Sequence, residues 1–457
     1  MTDFIEVIRR FEAGEKMGEQ DFDLKQVSGN ARRLAKEMEI QWERGALLET
    51  GTEMADRLFE AGLSMAEETG IYCTSTGSIA RFSREELLEG IRHAPSILTI
   101  GAGRDARTLR ARKPGDGSYP IVFAGNAGAP MPEELFLPTA LSYMKEPLVD
   151  AMDHSAITTV DGVEVRTGSP LEVRATRREL EYLKTAAQRA GRPGMPFICA
   201  ESSGTALGDL GVTHPRFMKP GDIHLCPLLS EMKTDFHNLT KTANMIELPE
   251  YLNGSLPNPI VGGYAGGPAE TAIVTVASFI LANLVCGAHL HLCHPVHVRF
   301  TSTTHAQCLW LMGLVGQAFA RNTHMILVGD IFASNGAGTR SLLYETAANA
   351  IVNSVSGMHL NGVAATNGLY PNSSGLEARL MARVGRAVTD SRLTPESALP
   401  LVKALYEKYE HTLKEPETGL PFPEVYHMDS ITPKDQWLSL YQEVSGEIGD
   451  LGLELKW

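Results

Sequence analysis

The chain has 457 residues, 43% hydrophobic and 21% charged, enough to bury a large core, and its formal net charge is −14 at pH 7. That acidic balance, with no Lys/Arg cluster interrupting it, argues against nucleic acid or an anionic membrane as partner and points toward small-molecule chemistry. No apolar run suggests a membrane span, the opening MTDFIEVIRRFEAGEK lacks a signal-peptide core, and the 6 cysteines lack C-x-x-C spacing, so a cytoplasmic protein with free thiols is expected.

Residues 1–92 read as a helical extension. NARRLAKEMEI and EMADRLFEAGLSMAEETG carry apolar residues at three- and four-residue spacing, and SREELLEGIRHA opens with the capping-box pair Ser83 and Glu86. From Ser96 the pattern changes to short β-rich runs, among them SILTIGAG, YPIVFAGNAG, HSAITTV, MPFICAES, DIHLCPL, NPIVGGYAGG, AHLHLC, HMILVGD and HLNGVAAT. Helices such as PAETAIVTVASFILANLV and GTRSLLYETAANAIVNSV follow several of them. This alternation predicts an α/β fold, a (β/α)8 barrel over 93–393, with residues 394–457 as C-terminal helices packed on it or in an oligomer contact. A doubly wound open sheet is the competing architecture, and no G-x-G-x-x-G helix entry supports it.

A barrel of this kind carries its chemistry at the C-terminal ends of its strands. In HLHLC, alternation is read with Leu290 and Leu292 toward the helices and His289, His291 and Cys293 toward the cavity. His224 and Cys226, and Phe197, Cys199 and Glu201, are read inward in the same way. These residues define a candidate metal set, His289, His291 and Cys293, with a pocket-lining role as the plainer alternative. GGYAGG before a helix offers either backbone N–H groups for an anion or a tight turn, with Tyr264 as a pocket aromatic. Glu231, shortly past a strand, is a candidate acid or base at the mouth, and Asp330 follows another strand.

LFEAGLSMAEETGIYCT, GAGRDARTLRARKPGDGSYPIV, AGRPGM, NPIVGGYAGGPAETAIV, PVHVRF, GLEARLMARVGRA and DLGL occur in this order over some 400 residues. Together they resemble the monomethylamine methyltransferase family of methanogens. The resemblance implies a (β/α)8 barrel, a homohexamer, and methyl delivery to the cobalt of a separate corrinoid protein docked at the barrel mouth. It also implies a pyrrolysine, at or close to Leu207, whose imine captures the methylamine. The segment ESSGTALGD, Glu201 to Asp209, contains neither pyrrolysine nor lysine. By the same resemblance Glu231 is retained, Ile331 replaces a polar amide residue that contacts pyrrolysine, Cys293 stands at an aspartate position, and His289 and His294 are additional.

The expected function is therefore methyl transfer from a methylated amine, quaternary and betaine-like rather than monomethylamine, to Co(I) of a corrinoid protein. Glu231, His291 and Cys293 are the expected catalytic residues. Glu201, Leu207, Tyr264, His289, Asp330, Ile331 and Arg299 are expected to line the substrate site, Arg299 holding a substrate carboxylate or a corrinoid side chain. The alternatives are zinc-assisted transfer from an oxygen or sulfur donor, a metal-dependent hydrolase, and a corrinoid or amine binding protein without catalysis.

Overall fold

A computed structural model describes residues 3–200 and 203–456. Eight parallel strands run in sequence order: β1 (Phe123–Ala124), β2 (Ala151–Asp153), β3 (Phe197–Cys199), β4 (Ile223–Leu228), β5 (Leu252–Pro257), β6 (Leu290–Cys293), β7 (Leu327–Phe332) and β8 (His359–Ala364). Val122 bridges Leu360 in parallel, and Leu360 N–H donates to Ile121 O at 3.1 Å, so β8 closes onto β1. One helix follows each strand: α1 (Glu133–Met144), α2 (Leu171–Arg189), α3 (Ala206–Val212), α4 (Phe236–Ile246), α5 (Pro268–Val285), α6 (Ala306–Asn322), α7 (Arg340–Val355) and α8 (Gly375–Asp390). The fold is the expected (β/α)8 barrel.

Three runs read as strands are not barrel staves. HSAITTV follows the stave Ala151–Asp153 and forms Ala156–Ile157, which pairs with Pro130–Met131, and Thr159–Val160, which pairs with Val163–Glu164. SILTIGAG forms Ile97–Ile100, which pairs antiparallel with Arg107–Arg110. Leu98, Ile100 and Leu109 of this hairpin join the barrel interior and close its N-terminal end with apolar surface. NPIVGGYAGG supplies only Ile260–Val261, which pairs with Val296–His297 at the mouth. The stave before it is LNGSLP, whose Asn, Gly, Ser and Pro carry loop chemistry but are buried in the sheet. Gly254 leaves room for a core side chain there: a Cβ would stand 2.9 Å from Leu225 Cδ2.

The interior is a layered apolar core of Phe123, Ala151, Ile198, Ile223, Leu225, Leu252, Leu290, Leu292 and Val328. α5 is long and apolar enough to cross a membrane by length and composition, yet every residue except Glu270 is buried, with helix Thr52–Thr69 and α6 packed on it. The N-terminal segment reaches the mouth through a four-stranded sheet in which Ile71–Cys73 pairs with Lys233–Thr234, just beyond β4. At the other end of the chain, helices Pro395–Tyr409 and Asp435–Asp450 pack on α7, and buried Tyr409 donates to Thr304 O at 2.7 Å.

Candidate active site at the barrel mouth

The leucines face inward, so the expected strand orientation is reversed. Leu290 and Leu292 belong to the interior core, whereas His291 packs its ring 5.4 Å from Phe279 of α5 and Cys293 lies in the cluster formed with α5 and α6. His291 Nδ1 stands 2.7 Å from Ser255 Oγ, and burial pushes the imidazole down to about 3, so the ring is neutral. Burial also pushes the Cys293 thiol up, which keeps it protonated and unreactive. β4 follows the same parity: His224 Nδ1 pairs with Asp209 Oδ1 of α3 at 2.7 Å, and Cys226 Sγ lies 3.2 Å from Thr242 Oγ1 of α4. Phe197 and Cys199 likewise face the helices. The physical reason is the strand period of two: a one-residue error exchanges the faces, and these His and Cys side chains find hydrogen bonds in the strand–helix layer.

His289 sits before β6, at the opposite end of the barrel, where its Nδ1 accepts from Asn253 N at 3.0 Å beside His93 and Pro95. His289, His291 and Cys293 therefore do not converge, and among the described residues no group of three or more His, Cys, Asp and Glu side chains could hold a metal ion. The zinc expectation loses its ligand set.

Continuing the inward parity of β6 past Leu290 and Leu292 reaches His294. It lines a cavity of about 170 Å³ at the C-terminal end of the barrel with Asp153, Leu225, Leu256, Leu292, Asp330 and Phe332. Asn258, Gly368 and residues 127–129 complete the wall. His294 Nδ1 is 2.5 Å from Asp330 Oδ2, and its ring meets Phe332 edge-on with centroids 4.9 Å apart. Asn361 of β8 donates one amide to Asp153 Oδ2 at 2.7 Å and to Asp330 Oδ1 at 3.2 Å. Two buried carboxylates are thus tied together by one buried amide, a polar layer above a leucine core. At about 30 Å³ per water, the space equals some six waters, room for a small substrate.

Of the expected site residues, Asp330 lines this cavity. Ile331, its neighbour on β7, points the other way into the helix layer, so it cannot stand in for a pocket amide. Glu231 is buried outside the cavity, its Oε1 accepting from Ile260 N at 3.0 Å, and burial raises its carboxyl to about 8. Tyr264 is half exposed on the loop after β5, 6.0 Å from Lys233 Nζ, which is held by Glu19 and Asp23. Leu207 is exposed in the first turn of α3, and Arg299 is exposed in the loop after β6. Glu201 lies outside the described residues.

In the GGYAGG turn, Gly262 has φ +87° and Gly266 φ +115°, and Gly262 N–H donates to Gly266 O at 2.7 Å. The turn reading accounts for these glycines. Sequence reasoning missed Asp153, Asn361 and the inward aim of His294. Parity puts each on the same face as inward apolar side chains of its own or a paired strand, but the strand pattern alone does not say which face is inward.

A closed parallel barrel with acidic side chains at its C-terminal mouth is the architecture of a small-molecule enzyme. Residues 2–453 match the family model described as monomethylamine methyltransferase MtmB. Monomethylamine methyltransferase MtmB2 of Methanosarcina acetivorans is 33% identical, the match covering 97% of this chain and 96% of that protein. MtmB of Methanosarcina mazei is equally similar, 33% over 97% and 96%. The crystal structure of the Methanosarcina barkeri monomethylamine methyltransferase superimposes with a TM-score of 0.95 at 31% identity, covering 99% of this chain and 98% of that one. A hydroxylamine complex of MtmB matches to the same degree. The chain belongs to the monomethylamine methyltransferase family and is a methyltransferase.

Proposed function

We propose that the protein moves a methyl group from a small quaternary, betaine-like ammonium compound to the Co(I) of a cognate corrinoid protein docked at the barrel mouth. The observation that carries this reading is the pair of buried carboxylates, Asp153 and Asp330, in a cavity that also presents the apolar side chains of Leu225, Leu256, Leu292 and Phe332 beside His294 and Asn258. Carboxylates in a low-dielectric recess favour a cation, and apolar walls accept N-methyl groups that carry no hydrogen-bond donor.

The electron pair of Co(I) forms the bond to the methyl carbon as the C–N pair returns to nitrogen. A quaternary donor then departs as a neutral tertiary amine, and the step requires no proton. Because positive charge fades from nitrogen on the way to the transition state, the two carboxylates hold the donor more than they accelerate the chemistry. Glu231 acts as a positioning residue, fixing the Ile260 backbone beside the mouth. Exposed Tyr264, Val298, Leu369 and Tyr370 on surrounding loops offer apolar surface for the corrinoid protein, and Arg299 beside Val298 would meet a corrinoid side chain or donor carboxylate. The homohexamer belongs to the same proposal and is checked by sedimentation.

The test is methylation of cob(I)alamin by the purified protein with tetramethylammonium, choline, glycine betaine, trimethylamine, dimethylamine and monomethylamine in turn. Methylcobalamin is expected from at least one quaternary donor and not from monomethylamine. Turnover of monomethylamine alone, or of no donor, contradicts the proposal.

A further inference from the structure

His294 reaches the cavity from the loop after β6 and is held there by two contacts. Its Nδ1 lies 2.5 Å from Asp330 Oδ2, and the Phe332 ring stands edge-on to the imidazole at 4.9 Å. Asp330 spends its other oxygen on Asn361, whose amide also binds Asp153. Among the described residues, the titratable neighbours in the cavity are Asp330 on β7 and Asp153 on β2. The remaining walls, from the loop after β1, β4, β5 and its following residues, β6 and the loop after β8, are Ala127, Gly128, Ala129, Leu225, Leu256, Asn258, Leu292 and Gly368, none charged.

Histidine is the side chain whose charge changes between about pH 5 and 8. As an imidazolium, His294 would place its own positive charge on Asp330, the carboxylate that a cationic donor needs. As a neutral imidazole it can keep the Nδ1–H bond to Asp330 while the carboxylate charge is left for a ligand.

We propose that His294 is a resident competitor for Asp330, so that a cationic donor binds as the imidazolium gives up its proton. The inference rests on the cavity being the donor site. Its balance is simple: the donor cation enters, one proton leaves Nε2 of His294 for solvent, and the net charge of the cavity is unchanged. Affinity then scales with the fraction of molecules in which His294 is neutral. His294 is by this account a specificity-setting residue that acts through Asp330, with no part in the bond changes at carbon.

The experiment is calorimetric titration of the full chain with tetramethylammonium, whose own charge does not vary with pH, in two buffers of different protonation enthalpy. Between about pH 5 and 8, where histidine side chains change charge, the wild type is expected to release a fraction of a proton per cation bound, seen as a buffer-dependent heat. Its Kd should fall as pH rises, by up to about tenfold per pH unit. His294→Gln keeps a side-chain N–H toward Asp330 but cannot titrate, and should abolish both the proton release and the pH dependence. His297 and His305 remain in that variant, so a release that persists in it would be theirs and would overturn the proposal. Binding by the wild type with no buffer-dependent heat overturns it as well, while leaving the donor site standing. Absence of binding at every pH overturns both. Asp330→Asn provides a second variant: it should lose proton release even where weak binding survives, and release at the wild-type level would contradict the competition.

Discussion

Glu231 and Asp330 are two buried carboxyl groups at the mouth with different partners. Among the described residues Glu231 receives one hydrogen bond, from Ile260 N, and its carboxyl is raised from 4.5 to about 8 by desolvation. A group whose folded value lies above its unfolded value contributes stability that is complete below about 4.5 and is lost as pH rises toward 8. Glu231→Gln, neutral at every pH, is therefore expected to change thermal stability little near pH 5 and to be the more stable form above pH 8; thermal scans at both ends check this. Asp330 instead receives His294 and Asn361. Asp330 and Glu231 stand out in the sequence because each falls near a strand's C-terminal end. Their different surroundings do not, because Ile260, Asn361 and Asp153 come from other strands.

At the scale of the strand, the period of two governs what a substitution does. β6 was legible as a strand, but its facing was not: HLHLC alternates perfectly under either assignment, and only the helices around it decide which set is inside. The helices supply Phe279 for His291 and the α5–α6 surface for Cys293, while the other staves supply leucines for Leu290 and Leu292. Leu292→Ala is expected to enlarge the cavity and relax donor size selection, besides costing about 2–5 kcal/mol of stability. Cys293→Ala should cost about 1 kcal/mol and leave donor KM unaltered. Denaturant melts with donor kinetics on both variants separate the faces; a KM shift confined to the Cys293 variant would refute the assigned parity. β5 was missed because LNGSLP has turn composition, and its place in the sheet is decided by six residues of pairing with β4.

Across the whole molecule, buried ionisable groups set a stability maximum. His154 and His305 are lowered to about 4, and His291 and His359 to about 3, all from 6.5 and all by burial. A lowered folded value means the unfolded chain binds more protons below 6.5, so these four groups destabilise the fold as pH falls from there. Glu231 and Glu377, both raised from 4.5 to about 8, act in the opposite sense and destabilise it as pH rises between those values. Among these six groups four oppose two between about 4.5 and 6.5, and above 6.5 only the two carboxyls remain. The melting temperature is expected to peak near pH 6.5 and fall on both sides; a monotonic rise to pH 9 would contradict this balance. The barrel as a class was legible, because strands and amphipathic helices alternate over most of the chain. The polar layer at its mouth was not, since it is assembled from β2, the loop after β6, β7 and β8, with Asp153 and Asn361 208 residues apart.

The central claim is that Asp330 and Asp153 hold a cationic methyl donor in the mouth cavity. Its most direct measurement is single-turnover methylation of cob(I)alamin by wild type and Asp330→Asn, at one pH and at donor concentrations far below saturation, with the best quaternary donor. Removing one charged partner of a buried cation should lower that rate about ten- to a hundredfold, with much of the loss recovered at saturating donor. Equal rates for the two proteins at low donor would contradict the account.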